Sequence, residues 1–82
     1  MRAIVIMEFE SEDDYAAFCW NAFEWVPNLV DYEELETYED YGRFIGRLLL
    51  EFEDMENFGM FNWNVMDWVE GLLDWETITI YD

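Results

Sequence analysis

Apolar and polar positions alternate at the two ends of the chain and recur at three- and four-residue spacing between them. Residues 3–9, AIVIMEF, are β-branched and apolar on both alternating faces, and 76–81, ETITIY, set Thr77, Thr79 and Tyr81 against Ile78 and Ile80, so both segments read as strands. Ser11 followed by Glu12, Asp13 and Asp14 is a helix start, with acids where the helix dipole favours them. Tyr15, Phe18, Cys19, Ala22, Phe23 and Val26 continue it as a helix over 12–25 that Pro27 ends. A second cap, Thr37 with Asp40 three residues later, opens a helix over 38–53 whose apolar stripe is Tyr41, Phe44, Ile45, Leu48, Leu49 and Phe52. Gly42 and Gly46 lie on that helix at a cost of roughly 1 kcal/mol each relative to alanine. NFGMF at 57–61 reads as a turn or short extended connector. Asn62 or Asn64 then caps a third helix to about Leu73, with Met66, Val69, Leu72 and Leu73 inward and Asp67, Glu70 and Asp74 on one outward stripe.

These elements predict one α+β domain spanning 1–82, with the two terminal strands paired in a small antiparallel sheet packed by about three helices. A two-stranded sheet is marginal alone. The expectation therefore includes a third short strand at 57–61, or strand pairing across a dimer; both monomer and homodimer remain open.

Charge changes the picture most. The 82 residues carry 21 acids against three arginines, with no histidine or lysine, for a net charge of −18, yet 54% of the chain is hydrophobic and 21% aromatic. Disordered acidic chains lack the aromatic and branched residues that offset conformational entropy, so this chain is expected to fold. A charge of −18 goes well beyond the magnitude of ~2–8 that keeps a small domain soluble, and it costs stability through self-repulsion. A domain of this size is roughly 30 Å across, and duplex DNA carries a charge every ~1.7 Å of axis, hence about 18 over that length. The protein matches DNA in charge per unit length. Direct nucleic-acid ligands and anionic membranes are repelled, which leaves basic protein surfaces as partners.

The densest acidic run is Asp31, Glu33, Glu34, Glu36, Glu39 and Asp40, expected on a connector and helix start; Asp67, Glu70 and Asp74 form a second row. These nine are the candidate partner-binding residues. Arg43 and Arg47 read as local staples to Glu39 and Glu51 at helical spacing. Trp20 lies off the apolar face of the first helix, and Trp63, Trp68 and Trp75 bracket the acidic stripe of the third. Exposed tryptophans would serve as interface anchors.

Catalytic chemistry has little to draw on. With no histidine or lysine and Ser11 as the only serine, triads, Schiff bases and phosphate loops are absent. No twelve-residue calcium loop appears, and one cysteine without histidine disfavours zinc, so no metal or other cofactor is expected. Cys19, in the apolar stretch from Ala16 to Ala22, reads as a buried inert thiol. The charged start MRAIVIMEFE and the lack of an apolar run near ~20 residues predict a cytoplasmic protein.

In charge, size and aromatic content the chain resembles the acidic DNA-mimic inhibitors of phages and mobile elements, of the anti-restriction and anti-CRISPR kind. That class shares no motif, so the resemblance covers composition over the whole chain. It implies a protein that closes the basic nucleic-acid channel of a CRISPR effector, a restriction enzyme or another nuclease, acting in the cytoplasm of the host cell. Phe58-Gly59, Asn62-Trp63 and Asp67-Trp68 resemble, at different spacing, pairs of the barstar family of acidic ribonuclease inhibitors. Two other readings compete: an interaction module anchored by exposed Trp and Tyr, and a halophile-adapted structural domain whose charge is screened by molar salt.

Overall fold

Ser11 nucleates the first helix as its position implies. Its Oγ accepts the Asp14 N–H at 3.2 Å, and its hydroxyl donates to the Asp14 carboxylate at 2.9 Å. The computed structural model describes residues 1–81, in the order β1 (Arg2–Phe9), α1 (Glu12–Trp25), β2 (Leu29–Asp40), β3 (Arg43–Phe52), α2 (Met55–Trp68) and β4 (Leu72–Tyr81). The strands form one sheet in the order β2-β3-β1-β4, with every neighbouring pair antiparallel. This is the β-α-β-β-α-β arrangement of two interleaved βαβ units.

The expected architecture of two strands and about three helices is overturned: there are four strands and two helices among the described residues. The largest correction falls on 38–53. Tyr41 (φ 51°) and Gly42 (φ 80°) form a two-residue turn with both φ values positive, so 29–52 is a β-hairpin. The supposed helical stripe divides by alternation, with Phe44, Leu48 and Phe52 on one face and Ile45 and Leu49 on the other, while Tyr41 sits at the turn, 99% exposed. A second correction falls on 57–61, which is neither turn nor strand but the first half of α2. Asp54, not Asn62 or Asn64, caps that helix, its carboxylate accepting the Asn57 N–H at 2.9 Å.

Both helices pack on one side of the sheet. Ala3, Val5, Met7 and Phe9 of β1 and Leu48, Leu50 and Phe52 of β3 point into that layer, against Phe18 and Ala22 of α1 and Phe58, Phe61 and Val65 of α2. The aromatic contacts Phe9–Phe18, Phe52–Phe61 and Phe61–Trp75 link both helices to the sheet, with ring centroids 5.4–5.9 Å apart. Each fully buried phenylalanine contributes on the order of 1.5–3 kcal/mol relative to exposure. Position 46 favours glycine: a Cβ there would lie 2.5 Å from Cε1 of Tyr15, so the ring would have to shift. No helix among the described residues is long and apolar enough to cross a membrane.

Candidate protein-binding surfaces

Six of the candidate acids, Asp31, Glu33, Glu34, Glu36, Glu39 and Asp40, lie along β2, an edge strand and not the expected connector and helix start. Their register divides them. Asp31, Glu33, Glu36 and Asp40 pair across to Glu51, Leu49, Arg47 and Arg43 and share the sheet face away from the helices, while Glu34 and Glu39 point to the helix side. From Asp31 to Asp40 the strand covers roughly 30 Å at ~3.3 Å per residue. Acidic side chains on an edge strand also deter pairing with other chains, which accounts for some of their number.

The second row does not assemble. Asp67 is on the last turn of α2, Glu70 is in the connection to β4, and Asp74 is on β4 opposite Glu8. The stripe predicted for a helix reaching Leu73 is cut because α2 ends at Trp68, one residue before its cap Val69. Phe58-Gly59, Asn62-Trp63 and Asp67-Trp68 all fall within α2.

On the helix side, α1 and β2 enclose an open groove of about 430 Å³ lined by Glu12, Tyr15, Cys19, Trp20, Tyr32 and Glu34, among others. The Tyr15 hydroxyl donates to Glu34 Oε2 at 2.6 Å, and the Tyr32 hydroxyl to the Cys19 carbonyl at 2.9 Å, so two phenols brace the edge strand against the helix. Burial pushes the Tyr15 hydroxyl far above its ordinary pKa, and its bond to the Glu34 carboxylate adds to the rise. Burial also raises Tyr32. It raises the Cys19 thiol, against a lowering contribution from the Tyr15 hydrogen bond; Cys19 is half-buried, not buried as expected. Trp20 stands at the rim, 88% exposed; on α2, Trp63 is 87% exposed, whereas Trp68 and Trp75 pack against the core. A Trp face beside carboxylates is a seat for a guanidinium or ammonium group.

The other sheet face has no helix over it. Ile4, Ile6, Ile45 and Leu49 form its centre, with Leu35, Tyr38, Ile78 and Tyr81 around them. All three arginines are here, because Arg2, Arg43 and Arg47 occupy the outward register of β1 and β3. Arg43 bonds Glu8 Oε2 at 3.1 Å, Arg2 lies opposite Glu51, and Arg47 lies opposite Glu36. Helical spacing pairs Arg43 with Glu39 and Arg47 with Glu51; in the sheet Arg43 bonds Glu8 across the strands instead, and Arg47 stands opposite Glu36 without an ion pair among the described residues. Sequence reading missed this face altogether. Its signal is the alternation Arg2, Ile4, Ile6, Glu8 on the first strand, which leaves an apolar pair facing away from Val5 and Met7.

No group of three metal-ligating side chains is gathered among the described residues. Comparison with protein families, with curated proteins and with solved structures finds no match to the chain.

Proposed function

We propose that the protein is a nucleic-acid mimic that occupies the basic nucleic-acid site of a target protein, such as a CRISPR effector, a restriction enzyme or another nuclease, and thereby inhibits it. The observation that carries this reading is charge against dimension. The molecule measures 34 × 22 × 19 Å, and a duplex of that longest extent bears about 20 charges at one per ~1.7 Å, against the protein's −18. The β2 edge supports it locally. Alternate residues of a strand rise ~6.6 Å, and successive phosphates of a DNA strand rise ~3.4 Å along the axis but lie further apart along their helical track, so Asp31 and Glu33 on one face of β2 stand at a spacing of the same order as neighbouring phosphates. Glu34 and Trp20 at the adjoining groove offer a seat for an arginine of the target. The acids steer the encounter, and the aromatic contact slows departure.

The test is capture on immobilised protein followed by elution with a short DNA duplex. Proteins held through their nucleic-acid sites leave the column when duplex is added at constant salt. Captured proteins that resist the duplex, or a column that retains nothing at about 0.1 M salt, where the Debye length is ~10 Å, would contradict the reading.

A further inference from the structure

We propose that the uncovered sheet face is the docking surface for a cationic amphipathic helix of a partner protein, seated lengthwise over β1 and β3. Three observations point to that occupant. First, the face is an apolar floor between two acidic borders. Ile4, Ile6 and Leu49 are half-buried on the central strands with no helix over them, and Leu35, Ile78 and Tyr81 beside them stay 41–44% exposed. Asp31, Glu33, Glu36 and Asp40 of β2 line one side of this floor, and Asp74 and Glu76 of β4 the other.

Second, the charge calls for a basic partner. With Glu8 and Glu51 the face holds eight acids against three arginines, a net charge of −5, and only Arg43 is in an ion pair. Arg47, the one cation near the middle, stands between Glu36 opposite it and Glu76 on the far side of Ile6. A partner's cations therefore find their counter-charges along the borders, and its apolar stripe finds its match in the middle. The same charge repels nucleic acid and anionic membrane.

Third, the dimensions are those of a helix. Two strands ~4.8 Å apart make a strip roughly 10 Å wide, and the six residue steps from Arg2 to Glu8 make it roughly 20 Å long. An α-helix is ~10–12 Å across with its side chains and rises 1.5 Å per residue, so about 13 residues fill the strip. The acids of β2 and β4 lie three strand spacings apart, roughly 14 Å, within reach of lysine or arginine side chains that leave the two flanks of such a helix and lay their stems along the floor. Helix on sheet is also how α1 and α2 cover the opposite face.

Recognition through an apolar stripe goes beyond the mimicry of nucleic acid, and the two readings fail separately: a captured protein can leave with duplex while no helix binds here, and the reverse. The experiment is calorimetric titration with a synthetic peptide of about 16 residues carrying leucine and lysine at helical spacing, beside a scrambled peptide of the same composition. The amphipathic peptide should bind about ten-fold or more tightly than the scrambled one at about 0.1 M salt, and should still bind at about 0.5 M, where the scrambled peptide is lost. Two variants add the same negative charge on opposite faces, Ile78→Asp at the margin of the floor and Trp63→Asp on α2. Charge alone would tighten binding in both. Ile78→Asp should instead weaken it by about ten-fold with the circular-dichroism spectrum unchanged, while Trp63→Asp binds at least as well as wild type. Amide chemical shifts of the wild-type protein should move along β1 and β3. Equal affinity for the two peptides, equal binding by the two folded variants, shifts confined to the helix side, or no binding up to about 0.1 mM peptide overturns the proposal.

Discussion

Replacing Gly46 with alanine tests the placement of β3 under α1, because the added methyl meets the Tyr15 ring. The new Cβ would lie 2.5 Å from Tyr15 Cε1 and 3.2 Å from Cδ1 and Cζ. Tyr15 is held on three sides: its ring packs 5.6 Å from that of Phe9 and 5.1 Å from that of Phe44, and its hydroxyl is bonded to Glu34. Overpacking a filled site costs ~1–3 kcal/mol. Moving the ring also strains a hydrogen bond to a charged group, worth ~1.5–3 kcal/mol, while the alanine recovers ~0.5–1 kcal/mol of backbone entropy. A net loss of about 2 kcal/mol lowers Tm by roughly 8–16 °C in a domain of this size. Gly59 is the internal control. It lies on α2 with nothing within 4 Å of a new Cβ, so Gly59→Ala should stabilise by ~0.5–1 kcal/mol. Thermal melts of both variants, and of Gly46→Ala in a Tyr15→Ala background where the cost should largely vanish, complete the experiment. A Gly46→Ala protein that melts higher than wild type would refute the packing argument, since a helical glycine at this position would respond in that direction.

Charge reversal at Glu33 and Asp40 together, both on the β2 edge, should weaken competition with duplex DNA for a captured target by more than ten-fold and shift stability by less than ~0.5 kcal/mol each; reversal at Asp67 and Glu70, which are not part of that edge, should do less. Tyr15, Tyr32 and Cys19 have pKa values raised by folding, so the stability they supply is complete below their unfolded values, near 9 for the thiol and 10 for the phenols, and declines as pH rises above them; denaturant midpoints from pH 7 to 11 should fall only beyond about pH 9. Trp20→Ala should reduce target affinity chiefly through faster dissociation, read by surface-bound kinetics, with the association rate unchanged because the acids that steer it remain. Thermal melts should show a folded protein at about 0.1 M salt; a requirement for molar salt would favour the halophile reading over the mimic.

The parts of the fold that were legible are those where only one period fits. Residues 12–25 carry a cap, a helical repeat and a terminating proline, and β1 is a short run rich in β-branched residues. The hairpin was misread because RFIGRLLLEF, a central strand, is apolar on both faces: the helix side buries Phe44, Leu48 and Phe52, and the open face is apolar as well. Such a run satisfies a helical period as readily as alternation. The discriminating signal was Tyr41-Gly42, whose positive φ values a turn requires and a helix forbids. In β2, glutamate and aspartate have low strand preference, which an exposed edge position accommodates. Gly59 suggested a break in what is an exposed helix, where a glycine costs no more than ~1 kcal/mol. The candidate acids were identifiable by density, but their division between two faces of an edge strand follows from a register that depends on β3. The open face with its arginines depends on all four strands, and its one local signature is the outward set Arg2, Ile4, Ile6 and Glu8 on β1.

The central claim, that the acids stand in for phosphates, is tested most directly by asking whether protein and DNA exclude one another on a captured target. Labelled duplex is bound to the target at about 0.1 M salt, and the protein is added while anisotropy and complex mass are followed together. Mimicry predicts loss of DNA from the target in step with protein binding, with no species containing all three. A stable ternary complex, in which the target holds the protein and the duplex at once, would contradict it.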